Sequence, residues 1–243
     1  MFDQEGNPFV GQRYQGSVIK FDRKTETFTI WSVPGNNEKS LIGHVAFTPA
    51  GLIWLKDQDN NAVHKLNPKT GKWVSFQAKT PGTYGTVSDS RGNLWLANIQ
   101  EGLLMKVDAE TGKQNFYPTP TPNSGPRRVH MDADDRFWFA EFRAHKIGRF
   151  DTKTDKFTEW PIPRAWAAPY DVVVDKNGEV WAGGMHTDYI FGLNPESGEF
   201  TEYLLPTLAA NIRRIDVDNS ADTVAVWIGE NHQAKLAKIE PLE

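Results

Sequence analysis

Short runs in which apolar and polar residues alternate with a period of two recur along the whole chain. Examples are "KFTEW", "HKIGRFD" and "GEVWAGG", which are also rich in β-branched and aromatic residues. This alternation is typical of β-strands that bury one face, and no segment keeps the period of a helix. The pattern therefore predicts an all-β fold.

One tryptophan marks each repeat of a longer period. The tryptophans Trp54, Trp95, Trp138, Trp181 and Trp227 are separated by 41, 43, 43 and 46 residues. Thirteen positions after them stand Asn67, Asp108, Asp151, Asn194 and Glu240, mostly followed by a turn such as Lys-Thr-Gly. The distance of thirteen residues is constant, whereas the distance between successive tryptophans varies from 41 to 46 residues. This indicates a rigid repeated unit joined by connections of variable length. We expect these Asx turns to close hairpins and all five tryptophans to stack between neighbouring units.

Each unit is predicted to contain four short strands, with the tryptophan on the second. Four-stranded repeats of about 40 to 45 residues are the signature of a β-propeller. The stretch "DQEGNPF" near the start aligns with "DSRGNLW", so the first of six units lacks its first strand, and the last unit lacks its fourth. We therefore predict a single β-propeller domain over residues 1–243 with 22 strands. It is either a fragment of a seven-bladed ring or a ring closed by a partner chain, and its unpaired strand edges favour self-association.

Composition narrows the classes of partner. The net charge is only −4, so charge predicts no nucleic-acid partner. No run approaches the roughly 18 apolar residues of a membrane span, so no membrane partner is predicted. The absence of cysteine excludes disulfides and thiolate metal sites but leaves the compartment open, and the N-terminus has no signal-peptide pattern.

Two sets of periodic positions are expected at one mouth of a propeller. The residues just before each first strand and just after each tryptophan strand should gather there, with His232 in an adjacent loop. The candidates are Tyr84, Arg127, Tyr170 and Arg213 in the first set, and Asp57, Asn98, Glu141 and Glu230 in the second. Arginines beside glutamates form a fork for a carboxylate or phosphate, while a Glu or His moves a proton. A salt-bridge network that holds the ring together fits the same residues, and both interpretations stay open.

Three stretches resemble the repeat of the virginiamycin B (streptogramin B) lyase family. They are "GNLWLANIQEGLLMKVD", "DRFWFAEFRAHKIGRFDTKT" and "APYDVVVDKNGEVWAGG". The resemblance implies a seven-bladed propeller that linearises a cyclic depsipeptide by elimination at its ester, with Mg²⁺ and a His general acid/base beside Glu residues. It also implies a periplasmic or secreted location.

The residues carried over from this resemblance leave two functions open. Where the family has a His after a Pro, this chain has Arg127, Tyr170 and Arg213, whereas Glu141 and Glu230 match the family's acidic positions. As a carbon–oxygen lyase, the protein would use Glu230, His232 and Tyr170 as catalytic residues, Glu230 and Glu141 as Mg²⁺ ligands, and Arg127, Arg213, Glu141, Asn98, Asp57 and Tyr84 for substrate binding. The alternative is a non-catalytic propeller whose Arg and Glu residues recognise a small-molecule or peptide ligand.

Overall fold

The computed structural model describes residues 1–37 and 40–241, which form 22 strands in six antiparallel sheets. The all-β prediction and the predicted strand count are confirmed. The chain divides into two compact units, Met1–Tyr117 and Pro118–Glu243. Among the described residues no helix has the length and hydropathy needed to cross a membrane.

The first unit contains three sheets. The first sheet is β1 (Phe9–Gln12), β2 (Ser17–Asp22) and β3 (Thr27–Ser32). The second is β4 (Ile42–Phe47), β5 (Ile53–Asp57), β6 (Ala62–Asn67) and β7 (Lys72–Gln77). The third is β8 (Thr83–Ser88), β9 (Leu94–Asn98), β10 (Leu103–Val107) and β11 (Gln114–Pro118).

The second unit also contains three sheets. The fourth sheet is β12 (Pro126–Met131), β13 (Arg136–Glu141), β14 (Lys146–Asp151) and β15 (Lys156–Pro161). The fifth is β16 (Pro169–Val174), β17 (Val180–Gly184), β18 (Tyr189–Leu193) and β19 (Phe200–Leu204). The sixth is β20 (Ile212–Asp218), β21 (Ala225–Glu230) and β22 (Lys235–Ile239), so the first and last sheets each lack one strand.

The turn between the third and fourth strands is closed by the Asp or Asn side chain that stands thirteen positions after the tryptophan of the repeat. In the fourth sheet, Asp151 Oδ1 accepts hydrogen bonds from the backbone N–H groups of Lys153 (2.8 Å) and Thr154 (3.1 Å). The same two bonds occur at Asp22, Asn67, Asp108 and Asn194. The predicted Asx turns are therefore confirmed at Asn67, Asp108, Asp151 and Asn194, and Asp22 forms a fifth in the first sheet.

The apolar core lies between successive sheets within each unit. In the second unit, one cluster joins Trp138 and Ile147 to Val172 and Phe191, and another joins Trp181 and Ile190 to sheet six. Equivalent clusters lie between the sheets of the first unit. The second strand of every four-stranded sheet is almost wholly buried.

An aspartate six residues before the tryptophan holds three of the second strands in place. In the fifth sheet, Asp175 Oδ2 accepts a hydrogen bond from Trp181 Nε1 (2.9 Å), and Oδ1 accepts from the backbone N–H groups of Asn177 and Glu179. Asp89 and Asp132 make the same bond to their tryptophans, also at 2.9 Å. One carboxylate thus fixes both the loop and the ring that fills the core.

We expect Asp175→Ala to lower the free energy of unfolding by about 2–3 kcal/mol, because three donors, one of them buried, lose their acceptor. Urea unfolding followed by circular dichroism measures the change. The matched control is Asp218→Ala in the sixth sheet, where the carboxylate is exposed and accepts a hydrogen bond from the Ser220 backbone. Equal losses in the two variants would contradict a special role for Asp175.

The prediction that all five tryptophans are stacked inside is wrong for Trp227. Trp54, Trp95, Trp138 and Trp181 are at most 1% exposed, whereas Trp227 is 41% exposed. Residues of the following sheet pack on Trp138 and Trp181, whereas sheet six is the last sheet of the described residues and has three strands.

Candidate functional site

The site in the second unit is built on β-bulges at the start of three first strands. The pairing with the second strand shifts between Pro126 and Val129, between Pro169 and Asp171, and between Ile212 and Arg214. A bulge leaves its extra residue outside the ladder and re-aims the side chain. Arg127, Tyr170 and Arg213 are the residues placed in this way.

Arg127 is held between two aromatic rings. Its Cζ atom lies 3.9 Å from the centroid of the Phe142 ring and 4.4 Å from that of Tyr170. One guanidinium nitrogen, Nη1, lies 3.6 Å from the sulfur of Met185. The two rings lie at 86° to each other, so Arg127 contacts one aromatic surface on each of two sides, and these cation–π contacts restrain its guanidinium group.

Two further guanidinium groups surround the same tyrosine. The Cζ atoms of Arg128 and Arg213 lie 5.7 and 5.9 Å from the Tyr170 ring centroid. Arg213 Nε donates a 2.7 Å hydrogen bond to Asn211, and Arg213 makes no ion pair with any residue among 1–37 and 40–241. The surroundings of Tyr170 are therefore strongly cationic.

A buried carboxylate lies behind this cluster. Asp171 is 2% exposed, and its Oδ2 accepts hydrogen bonds from Arg214 Nη1 and the backbone N–H of Ile215, both at 3.3 Å. Burial raises the pKa of Asp171 to about 6, although the positive charges of Arg214 and Arg128 oppose the rise. Asp171 thus balances part of the positive charge of Arg214 and Arg128.

Glu141 lies at the end of β13 in a second polar cluster. Its side chain is fully buried, and neither carboxylate oxygen makes a hydrogen bond of regular geometry within the described residues, although Ser124 and Glu159 lie close enough to affect its pKa. Nearby, Lys146 Nζ donates to Glu159 at 2.7 Å and to Thr121 Oγ1 at 2.6 Å. Burial, with the negative charge of Glu159, raises the pKa of Glu141 to about 7, so this carboxyl exchanges its proton near neutral pH.

The equivalent residues of the first unit tie down the chain between sheets. Asp57 accepts hydrogen bonds from the Leu41 backbone (2.9 Å) and from Asn60 (2.8 Å). Asn98 donates to Thr80 Oγ1 and to the Pro81 carbonyl. A structural role explains the polar residues at these positions, and their substrate binding stays a prediction.

The remaining candidates occupy three different settings. Glu230 is 2% exposed at the end of β21, and its Oε2 has no hydrogen-bond partner in the described part of the chain. His232 is exposed, and its backbone N–H donates to Ala210 at 3.3 Å. Tyr84 lies in the bulge of β8, with its ring 5.8 Å from that of His44. The structure thus gathers Arg127 and Arg213 around Tyr170, while Glu230 pairs with Ile212 at the end of β21.

Sequence reasoning missed two neighbours of Arg127. Phe142 and Met185 each stand four positions after their tryptophan and directly follow the predicted mouth positions. Phe142 also contacts the His186 ring, with centroids 5.3 Å apart. The same periodicity, extended by one residue, would have found both.

The described residues do not fit the Mg²⁺ ion that the resemblance implies. Among residues 1–37 and 40–241, no three His, Asp or Glu side chains come together as ligands. Glu141 and Glu230, the predicted ligands, end strands of separate sheets. We therefore derive no chemical step through a metal ion, and the assignment of these two residues to Mg²⁺ stays a prediction.

The profile of the virginiamycin B lyase family matches residues 74–242 of the chain. The chain belongs to this family. A catalytically inactive His-to-Ala variant of virginiamycin B lyase from Staphylococcus aureus, solved with quinupristin, matches with a TM-score of 0.87 and 20% identity, over 98% of this chain and 78% of the other. The β-propeller fold predicted from the repeat is thereby confirmed.

Two other solved structures share the fold of the present chain, a member of the virginiamycin B lyase family. A streptogramin B lyase matches with a TM-score of 0.84 and 22% identity over 100% of this chain and 82% of its own. Hydrazine synthase from Kuenenia stuttgartiensis matches with a TM-score of 0.82 and 14% identity, over 98% and 75%. A search of curated protein sequences found no match. At these identities the likeness shows the fold, and the chemistry depends on the residues of this chain.

Proposed function

We propose that this family member binds an anionic ligand through the arginines around Tyr170. The observation that carries the proposal is the presence of three guanidinium groups, those of Arg127, Arg128 and Arg213, within 6 Å of one tyrosine ring. Two of them, Arg127 and Arg213, belong to the positions where the resemblance expects a catalytic His. The proposed activity is therefore recognition of a negative charge, which arginine favours through paired N–H donors.

The ligand class follows from the chemistry of the side chains that line the site. Arg127 and Arg213 suit a carboxylate, and the rings of Tyr170 and Phe142 offer an aromatic face beside it. A ligand with a carboxylate next to a flat apolar group satisfies both features. Asp171, which accepts a hydrogen bond from Arg214, offsets only part of the positive charge in this region.

The test uses benzoate and its uncharged analogue benzamide as probes in isothermal titration calorimetry. We expect benzoate to bind more tightly than benzamide, and more weakly as salt is raised. Arg127→Ala and Arg213→Ala should each weaken benzoate binding by about 10- to 100-fold, because each removes a charge-assisted hydrogen bond. Arg91→Ala, which changes an exposed arginine of the first unit, is the matched control. Equal binding of benzoate and benzamide, or no loss in either site variant, would reject the proposal.

A second candidate is carbon–oxygen lyase chemistry, which is supported by family membership and by one observation. Glu141 is a buried carboxyl with a pKa of about 7, and such a group is suited to general acid/base work. Glu230, His232 and Tyr170 stay the residues predicted to carry this reaction. Incubation with quinupristin, followed by chromatography for the ring-opened product, tests it. A product formed by the unmodified protein but not by Tyr170→Phe supports the lyase, whereas an intact ring in both contradicts it.

A further inference from the structure

The third strand of the second sheet carries a histidine where the other sheets have an apolar residue or glycine. His64 stands three residues before Asn67, the Asx residue of its turn. The residues at the same distance before the turn in the other five sheets are Ile19, Met105, Gly148, Phe191 and Ala237. His64 is only 3% exposed, so burial of its imidazole costs free energy that the other sheets do not spend. The repeat alone therefore does not explain this residue.

The side chain of His64 is hydrogen-bonded to a serine at the surface. Its Nδ1 atom lies 2.7 Å from Oγ of Ser75, which stands directly opposite on β7. Ser75 is exposed, so a reagent in solution can reach it. The other ring nitrogen, Nε2, is buried and has no hydrogen-bond partner in the described part of the chain. A histidine with a purely structural role is expected to satisfy both nitrogens, because an unpartnered buried polar atom lowers stability.

The charges around His64 suit a group that accepts a proton. Burial lowers the pKa of His64 from its ordinary value of 6.5, the negative charge of Asp57 opposes this shift, and the positive charge of Lys56 adds to it. The imidazole is therefore neutral at pH 7, the state in which a histidine acts as a base. When a proton arrives, the buried carboxylate of Asp57 favours the resulting imidazolium.

A cavity of about 460 Å³ gives a small molecule access to this pair. Its lining includes His64 and Ser75 together with the polar residues Asn37, Asn60 and Gln77. The cavity thus places an exposed hydroxyl group, hydrogen-bonded to a buried neutral imidazole, next to a space that accepts a small polar reagent. This is the arrangement of a nucleophile with its general base.

We infer that Ser75 is a nucleophile that His64 activates for acyl transfer from a small activated ester. Ser75 Oγ forms a bond to the carbonyl carbon of the ester, and the hydroxyl proton moves to Nδ1 of His64. The bond between this carbon and the leaving oxygen then breaks, and the leaving group takes the proton from His64. The products are an ester on Ser75 and a free alcohol or phenol.

This site belongs to the first unit, whereas the arginine cluster around Tyr170 belongs to the second. The acyl transfer at Ser75 requires no ligand at Tyr170, and the probes for the two proposals are different. Failure of either proposal therefore leaves the other unaffected.

The test treats the full chain with 4-nitrophenyl acetate and follows both the release of 4-nitrophenol and the mass of the protein. We expect one acetyl group on the peptide that contains Ser75. Ser75→Ala should abolish this label, and His64→Gln should slow it by about 100-fold, because a positioned general base contributes roughly 10²–10⁴-fold. Ser197→Ala, which changes an exposed serine in a turn of the second unit, is the matched control and should react like the parent protein.

The pH profile of the parent protein supplies a readout that requires no variant to fold. The rate of Ser75 acetylation should rise with pH and become constant above the pKa of His64, which burial holds below 6.5. A serine without a base would instead react faster with every further increase in hydroxide concentration. Acetylation of lysines or the N-terminus without acetylation of Ser75, or a Ser75 rate that never becomes constant, overturns the inference.

Discussion

Trp138→Ala should lower the free energy of unfolding by about 3–5 kcal/mol, the cost of emptying a large aromatic site in a packed core. Trp138 is 1% exposed, stacks on Trp160 and donates a hydrogen bond to Asp132. Its removal leaves a cavity between the fourth and fifth sheets and also leaves Arg149 without one of its two rings. Urea unfolding followed by tryptophan fluorescence and circular dichroism measures the loss.

Trp227→Ala provides the comparison within the same repeat. This tryptophan is 41% exposed, and its nearest charged partner, Lys238, lies on the exposed edge strand. We expect a loss of about 1 kcal/mol, because less apolar surface returns to water and less packing is lost. Equal losses for the two variants would contradict the claim that Trp138 fills a packed core and Trp227 does not.

The second large effect that we expect is a dependence of the free energy of unfolding on pH, caused by the titration of Glu141. Its pKa is about 7 in the folded protein against an ordinary value of 4.5, so between these values the folded state binds more protons than the unfolded state. The contribution of Glu141 to the free energy of unfolding therefore falls as pH rises from about 4.5 to 7, by roughly 3 kcal/mol, and is constant above pH 7.

Glu141→Gln removes the titration of residue 141. Asp171 titrates in both the parent protein and the variant, so the difference between their pH profiles reports on Glu141 alone. We expect the variant to be less pH-dependent between pH 5 and 8 and to be the more stable protein at pH 8. Chemical unfolding at several pH values measures both. Glu196→Gln in an exposed turn is the control, and it should keep the pH profile of the parent. A Glu141→Gln profile parallel to that of the parent would rule out the raised pKa.

The fold could be predicted from the sequence because its repeat rests on local chemistry. The Asx residue that closes each hairpin bonds to backbone two and three positions away, so its spacing from the tryptophan is visible in the chain. The exposure of Trp227 escaped prediction, because burial of a ring depends on a neighbouring strand rather than on its own position. The repeat predicts the three strands of the last unit, but the position of Trp227 in the repeat does not by itself show how much of its ring is exposed.

The site could be predicted only in part. Periodicity found Arg127, Tyr170 and Arg213, because a bulge recurs at the same place in each first strand. It could not separate these positions from those of Asp57 and Asn98, whose polar side chains bond to neighbouring backbone. Only the three-dimensional contacts distinguish arginines that gather around a tyrosine ring from polar side chains that fasten a loop.

A crystal structure of the protein with 4-bromobenzoate tests the central claim most directly, because bromine can be located by its anomalous scattering. The account predicts a bromine peak beside the rings of Tyr170 and Phe142, with the carboxylate about 2.7–3.2 Å from guanidinium nitrogens of Arg127 and Arg213. If the ligand saturates the protein in solution but binds elsewhere, with no density at Tyr170, the account is contradicted.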